Sequence, residues 1–109
     1  MATSTITQLI APVALTATLT TTLYTVPTGQ KVIVKELLIC NTDSAARAVT
    51  LYFGTGSAVA NTILDALSFA AGETKFIELS TVLVAGDMIK GGASTASVVS
   101  IVASGVVVA

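Results

Sequence analysis

The chain contains no histidine, no tryptophan and a single cysteine, Cys40. Without imidazole, neither a Ser-His-Asp nor a Cys-His arrangement can be built to activate a nucleophile. One thiol excludes an intrachain disulfide and a thiolate metal cluster within one chain. Ionic groups are also scarce: 109 residues carry five Lys and Arg against six Asp and Glu, well below the roughly 25% charged residues of an ordinary domain. So small and balanced a set is a poor match for the phosphate backbone of a nucleic acid. The apolar content of 53% in turn excludes a disordered chain, which goes with low hydrophobicity and high charge.

Such a composition raises the question of a membrane span. Residues 1–30 are uncharged, but they hold Thr16, Thr18, Thr20, Thr21, Thr22 and Thr25 and are broken by Pro12 and Pro27. Residues 91–109 contain Gly91, Gly92, Gly105 and four serines. A spanning helix needs about 20 predominantly apolar residues, and neither stretch has basic clusters to orient it. Residues 1–11 lack the basic segment that opens a signal peptide. Both stretches read as β-structure, and no membrane partner is expected.

What the chain has in quantity is β-branched residues. Val, Ile and Thr exceed a third of the total, and such side chains suit a pleated sheet. Short apolar runs alternate with turn signals at 27–29, 41–44, 54–56, 71–73, 85–87 and 91–92. This spacing predicts an all-β fold, a single antiparallel β-sandwich of jelly-roll-like type. Strands are expected near 5–10, 14–20, 22–26, 31–41, 47–54, 63–69, 73–79, 87–93 and 97–108. In the last of these, Val99, Ile101, Ala103, Gly105 and Val107 should face the core, with Val98, Ser100, Val102, Ser104 and Val106 on the other side. The run 32–40 is apolar on both faces apart from Lys35-Glu36, which suggests a strand covered on both sides with a bulge at that pair. It would form a hairpin with the 47–54 strand across residues 41 to 46. Residues 58 to 66, the one helical candidate, read better as a loop or single turn. The sequences 69–73 and 83–87 echo each other, each with a Gly turn followed by a carboxylate.

Residues 1–13 differ from the rest and read as an N-terminal arm, with residues 14–109 forming the sandwich domain. The arm would reach another subunit or pair at a sheet edge, with Ile6, Leu9, Ile10 and Pro12 as its partner-binding residues. The alternative is an ordinary first strand.

The chemistry-bearing residues are few. Cys40 lies in the most apolar run and reads as a small buried hydrophobe. Glu36, Asp43, Asp65, Glu73, Glu78 and Asp87 supply carboxylates, and a pair roughly 5–9 Å apart could hydrolyse a glycoside, but the sequence places no such pair. Gly54-Thr55-Gly56 opens like a dinucleotide fingerprint but lacks its third glycine and a βαβ setting. No Ser-x-x-Lys spacing or calcium loop occurs. No catalytic residue, cofactor or metal is therefore assigned, and the chain is expected not to be an enzyme. A neutral surface with so few charges would be an association hazard on a monomer, and sheet edges invite pairing. Both point to a subunit of a stable assembly.

The stretch Leu23-Tyr24-Thr25-Val26-Pro27-Thr28-Gly29-Gln30-Lys31, the apolar strand 32–40 and Asn41-Thr42 resemble a group of small virion proteins of tailed bacteriophages. Ala71-Gly72-Glu73-Thr74 and residues 83–89 resemble later turns of the same group, so the likeness covers roughly residues 20–108. It implies a compact β-sandwich on the outer surface of a phage capsid. Decoration, or cement, proteins of this kind bind the major capsid protein, often as trimers seated where capsid subunits meet. Other members sit on neck, tail or fibre. The alternative reading of this chain is such a component, contacting other virion proteins or, through the loop 54–61, a host-surface ligand. The resemblance carries no catalytic motif.

Overall fold

The computed structural model describes residues 4–56 and 59–109. Eight strands account for most of them: β1 Ser4–Ala14, β2 Thr22–Thr25, β3 Lys31–Asn41, β4 Arg47–Gly54, β5 Thr62–Phe69, β6 Thr74–Val84, β7 Met88–Ala93 and β8 Val99–Val108. A single 3-10 turn, Val59–Asn61, precedes β5. The strands form two antiparallel four-stranded sheets, ordered β1-β8-β3-β6 and β2-β7-β4-β5. Strands 1 and 8, 2 and 7, 3 and 6, and 4 and 5 are neighbours. The chain is thus laid out as one long hairpin with its tip between β4 and β5, rolled so that β3–β8 and β4–β7 close the two sheets. This is the eight-stranded jelly-roll order.

The core lies between the sheets. Val32, Val34, Leu37 and Ile39 of β3 face Val49, Leu51 and Phe53 of β4, with Val99, Ile101 and Ala103 of β8 and Ile89 of β7 completing it. The alternation expected for β8 is present, its odd-numbered residues 99–105 being buried and its even-numbered ones half-exposed. The bulge expected at Lys35-Glu36 is also present. Both pairings of β3 shift register between Val34 and Glu36, so two successive charged side chains lie between buried Val34 and Leu37.

The two echoing turns share one device. Gly72 and Gly86 take φ of 72° and 90°, a region open to glycine without a Cβ penalty. The carboxylate that follows then reaches back. Glu73 Oε1 accepts from the Ala70 N–H at 2.9 Å while the Glu73 N–H donates to the Ala70 carbonyl at 3.0 Å. Asp87 Oδ2 accepts from the Val84 N–H at 3.0 Å, and the Asp87 N–H donates to the Val84 carbonyl at 2.9 Å.

Four expectations need correction. The strand expected at 14–20 is absent, Ala14 being the end of β1. Leu15 is buried, and residues 16–21 form a loop closed by threonines: Thr16 and Thr21 share a hydroxyl hydrogen bond of 2.7 Å, and Thr21 Oγ1 donates to the Thr18 carbonyl at 2.9 Å. Strands β3 and β4 are not a hairpin, because residues 42–46 carry the chain from one sheet to the other. The expected 73–79 strand continues to Val84, since Ser80 and Thr81 lie at solvent-facing and half-buried positions of one unbroken alternation. The boundary at residues 13 and 14 falls inside β1, so the described part of the arm, residues 4–13, is an edge strand paired with β8. Pro12 is tolerated there because an edge strand needs only half of its N–H groups.

The crossing at 42–46 is stapled by charge. Arg47 Nε donates to Asp43 Oδ2 at 2.7 Å, and the Ser44 N–H donates to Asp43 Oδ1 at 2.7 Å. The Arg47 hydrogen bond, followed by that of Ser44, holds the Asp43 carboxyl below its ordinary pKa. A depressed folded-state pKa contributes stability above the unfolded value and loses it as pH falls through the folded one. Asp43→Asn should therefore be less stable than the parent at pH 7, with the gap narrowing as pH falls below the ordinary carboxylate range. Denaturant midpoints across falling pH check this; a gap that does not narrow in acid would assign the effect to something other than the carboxylate.

Candidate interaction surface

The sheet β1-β8-β3-β6 has one face on the core and one open. Side chains on the open face line up in rows across the strands, as the register dictates. One row runs Ile6, Val106, Ile33, Val82, and another runs Val102, Leu38, Phe76. Ile6 is 88% exposed, Val82 57% and Phe76 53%, with Leu38 and Val84 also exposed. Between the two apolar rows lies a polar one, Gln8, Ser104, Glu36, Glu78. There the Ser104 hydroxyl donates to Glu36 Oε1 at 3.5 Å, and beside it Lys35 Nζ donates to Ser80 Oγ at 3.5 Å. A shallow cleft of about 300 Å³ opens on this face, bordered by Ile6, Lys35, Glu36, Ser104, Gly105 and Val106. The strand expected to be covered on both sides, β3, is therefore covered on one.

Of the four arm residues singled out from the sequence, the fold separates two from two. Leu9 and Ile10 are buried in this chain's own core, and Ile6 and Pro12 face outward. Leu9 lies on the opposite face from Ile6 by plain alternation, and the register shift between Gln8 and Ile10 turns Ile10 inward beside it. Cys40 is not in the core either. It is half-buried on the open face, opposite Thr74 and Ser100.

Glu36 and Glu78 stand opposite each other in register, a pairing invisible in the sequence, but only Glu36 borders the cleft and Glu78 is exposed. Glu73 and Asp87 are occupied in turns, and Asp43 holds Arg47. Among the described residues no three of Cys, Asp and Glu come together as a metal site. Tyr24, partly buried at the β2 edge, has its phenol pKa raised by desolvation. Of the 54–61 loop, residues 57 and 58 lie outside the described part, and Asn61 Nδ2 anchors its far end on the Phe53 carbonyl at 3.0 Å. The open face itself is not legible along the sequence, because Val82 and Val84 lie beyond the expected 73–79 strand and the apolar rows form only when distant strands are aligned; the even spacing of Phe76, Val82 and Val84 was the available signal.

Compared with protein-family models, with curated proteins and with solved structures, the chain matches none. No described helix is long and apolar enough to cross a membrane.

Proposed function

We propose that this chain is a non-enzymatic structural protein of a tailed-bacteriophage virion, which decorates and stabilises the capsid by binding the major capsid protein through the open face of the β1-β8-β3-β6 sheet. The observation that carries the reading is that face: two rows of exposed aliphatic and aromatic side chains flanking a short polar row. Covering each half-exposed apolar side chain contributes about 1 kcal/mol, and a shell protein supplies the cover. A rigid, charge-poor subunit seated across joints between shell proteins would add apolar contacts that resist the pressure of packaged DNA. The jelly roll serves virion shells, lectins and cupins alike, so the fold alone does not select this function. The sequence resemblance over residues 20–108 supplies the particle, and the surface supplies the mode of attachment. The chain acts as a homo-oligomer on the outside of the capsid and needs no cofactor.

Two measurements test the reading. Quantitative mass spectrometry of purified particles should find the chain in numbers comparable to the major capsid protein; a few copies confined to one vertex would assign it to neck, tail or fibre instead. Ile6→Asp should weaken binding to undecorated capsids about tenfold to a hundredfold, the equivalent of exposing one buried aliphatic side chain, while leaving the circular dichroism unchanged. Unaltered binding would remove the open face from the attachment.

A further inference from the structure

The jelly roll leaves four strand edges, and three of them are blunted. β2 is four residues long. β1 carries Pro12 and two register shifts. β5 is bent at Ala66, with φ of 49°, and pairs with β4 through two further shifts. β6 differs. It runs eleven residues, Thr74–Val84, without proline, its side chains alternating throughout despite one register shift against β3 at Leu79 and Ser80, and has a sheet partner, β3, on one side only. A long regular edge of this kind is a template for another strand.

The direction of its backbone groups can be read from its two ends. The Asn41 N–H donates to the Glu73 carbonyl at 2.8 Å, so at this end the odd-numbered residues turn toward β3. At the other end the N–H and carbonyl of Val84 are both taken by Asp87, outside the β3 ladder. Hydrogen-bonding direction alternates along a strand as side chains do. Between Thr74 at one end and Val84 at the other, the N–H and C=O groups of Phe76, Glu78, Ser80 and Val82 thus face the open edge.

The charges beside this edge are incomplete. Glu78 faces Glu36 across the strands, a like-charge pairing that destabilises a sheet. Lys35 reaches only the hydroxyl of Ser80. Neither Lys35 nor Glu78 takes part in the two ion pairs among the described residues, Arg47–Asp43 and Lys75–Glu73.

We propose that β6 is a self-recognition edge, pairing antiparallel with β6 of a second copy of this chain about a two-fold axis at Leu79. In this register Glu78 lies opposite the second copy's Ser80, and Phe76 lies opposite its Val82. Each Glu78 comes beside the Lys35 that holds the opposite Ser80, so both like-charge contacts gain a cation, once on each side of the axis. The four edge-facing residues of each copy meet as hydrogen-bonded pairs. The Phe76–Val82 contacts are the aromatic with β-branched kind that favours sheet pairing. Moving the axis one residue to Glu78 brings the two Glu78 side chains together, and moving it to Ser80 places Glu78 opposite Val82. Only the Leu79 register satisfies the charges. The interface is isologous and closes at two copies, joining two sheets into one of eight strands. It does not rest on the capsid reading, because the isolated chain contains all its parts.

Sedimentation equilibrium of the purified full chain tests it. The parent should weigh twice its 10.9 kDa chain mass at micromolar concentration. Glu78→Lys and Lys35→Glu should each weaken the dimer about tenfold or more, and the double variant should restore it. Ser80→Pro should give a folded monomer, since the lost N–H points away from β3. Should that variant fail to fold, the charge exchange decides alone. A parent that is monomeric or trimeric, a dimer indifferent to Glu78→Lys, or a double variant no better than the singles would overturn the proposal. Capsid binding lost by Ile6→Asp with dimerisation intact, or the reverse, separates this edge from the attachment face.

Discussion

Asn41→Ala should lower the stability of the folded chain by about 3 kcal/mol, a large part of the roughly 5–15 kcal/mol that holds a domain together. Asn41 is fully buried at the end of β3, where the chain leaves one sheet for the other. Its Nδ2 donates to the carbonyls of Ala45, Phe69 and Ala70 at 2.9, 3.2 and 3.1 Å, and its Oδ1 accepts from the Asp43 N–H at 3.0 Å. One amide thus ties the β3–β4 crossing to the β5–β6 turn. Truncation removes all four of these side-chain bonds at once, and losing the buried one to the Phe69 carbonyl costs the most, about 1–3 kcal/mol by itself. The thermal midpoint should fall by roughly 15 °C. Asn41→Asp keeps the acceptor but aims a second oxygen at three carbonyls. Its carboxyl would therefore ionise above the ordinary range in the folded state. The variant's stability, compared with Asn41→Ala at each pH, should be best in acid and decline as pH rises through that raised value. Thermal melts of both variants between pH 3 and 8 check this; a midpoint within 3 °C of the parent for Asn41→Ala would show that the amide is not a structural tie.

The same residue illustrates what was legible in the sequence. Asn41-Thr42-Asp43-Ser44 announces a turn, and a turn is there. Nothing local says that it joins two sheets rather than two neighbouring strands, because the partners that decide it, Phe69 and Ala70, lie almost thirty residues away. Local patterns with their own physics came through intact. The alternation of 99–105 marked the inward face of β8, the Lys35-Glu36 pair marked the bulge, and Gly72 and Gly86 marked left-handed turns. What failed depended on register between distant strands. The arm was legible as a segment, but the register shift that buries Ile10 beside Leu9 while Ile6 stays exposed arises from pairing with β8. The open face was hidden for the same reason. Ile6, Ile33, Val82 and Val106 are unremarkable in the sequence, and become one apolar row only when four strands are aligned.

Gly105→Ala should cost about 3 kcal/mol although it adds a single methyl group. Gly105 sits in β8, an interior strand flanked by β1 and β3, opposite Thr7 and Val34. A Cβ at this position would run into the backbone carbonyl oxygen of Ile33 and come within 3.0 Å of Leu9 Cδ1. Leu9 could turn aside; the Ile33 carbonyl belongs to a strand paired on both sides and cannot. The register shift between Val34 and Glu36 lies beside this contact, bulges bend the strand that carries them, and glycine is what lets the two backbones approach. Gly86→Ala is the control. No atom lies within 4 Å of its added Cβ, so its cost is the left-handed backbone alone, about 1–2 kcal/mol. Chemical denaturation of the two variants should rank them in that order. The ranking bears on function because Gly105, Lys35 and Glu36 border the same cleft on the open face. A Gly105→Ala protein that still folds should have that wall displaced, and should bind capsids less well than Gly86→Ala, whose turn lies between β6 and β7. Equal stability for Gly105→Ala and the parent would mean that β3 is not pressed onto β8 at the bulge, and that this wall of the cleft is free to move.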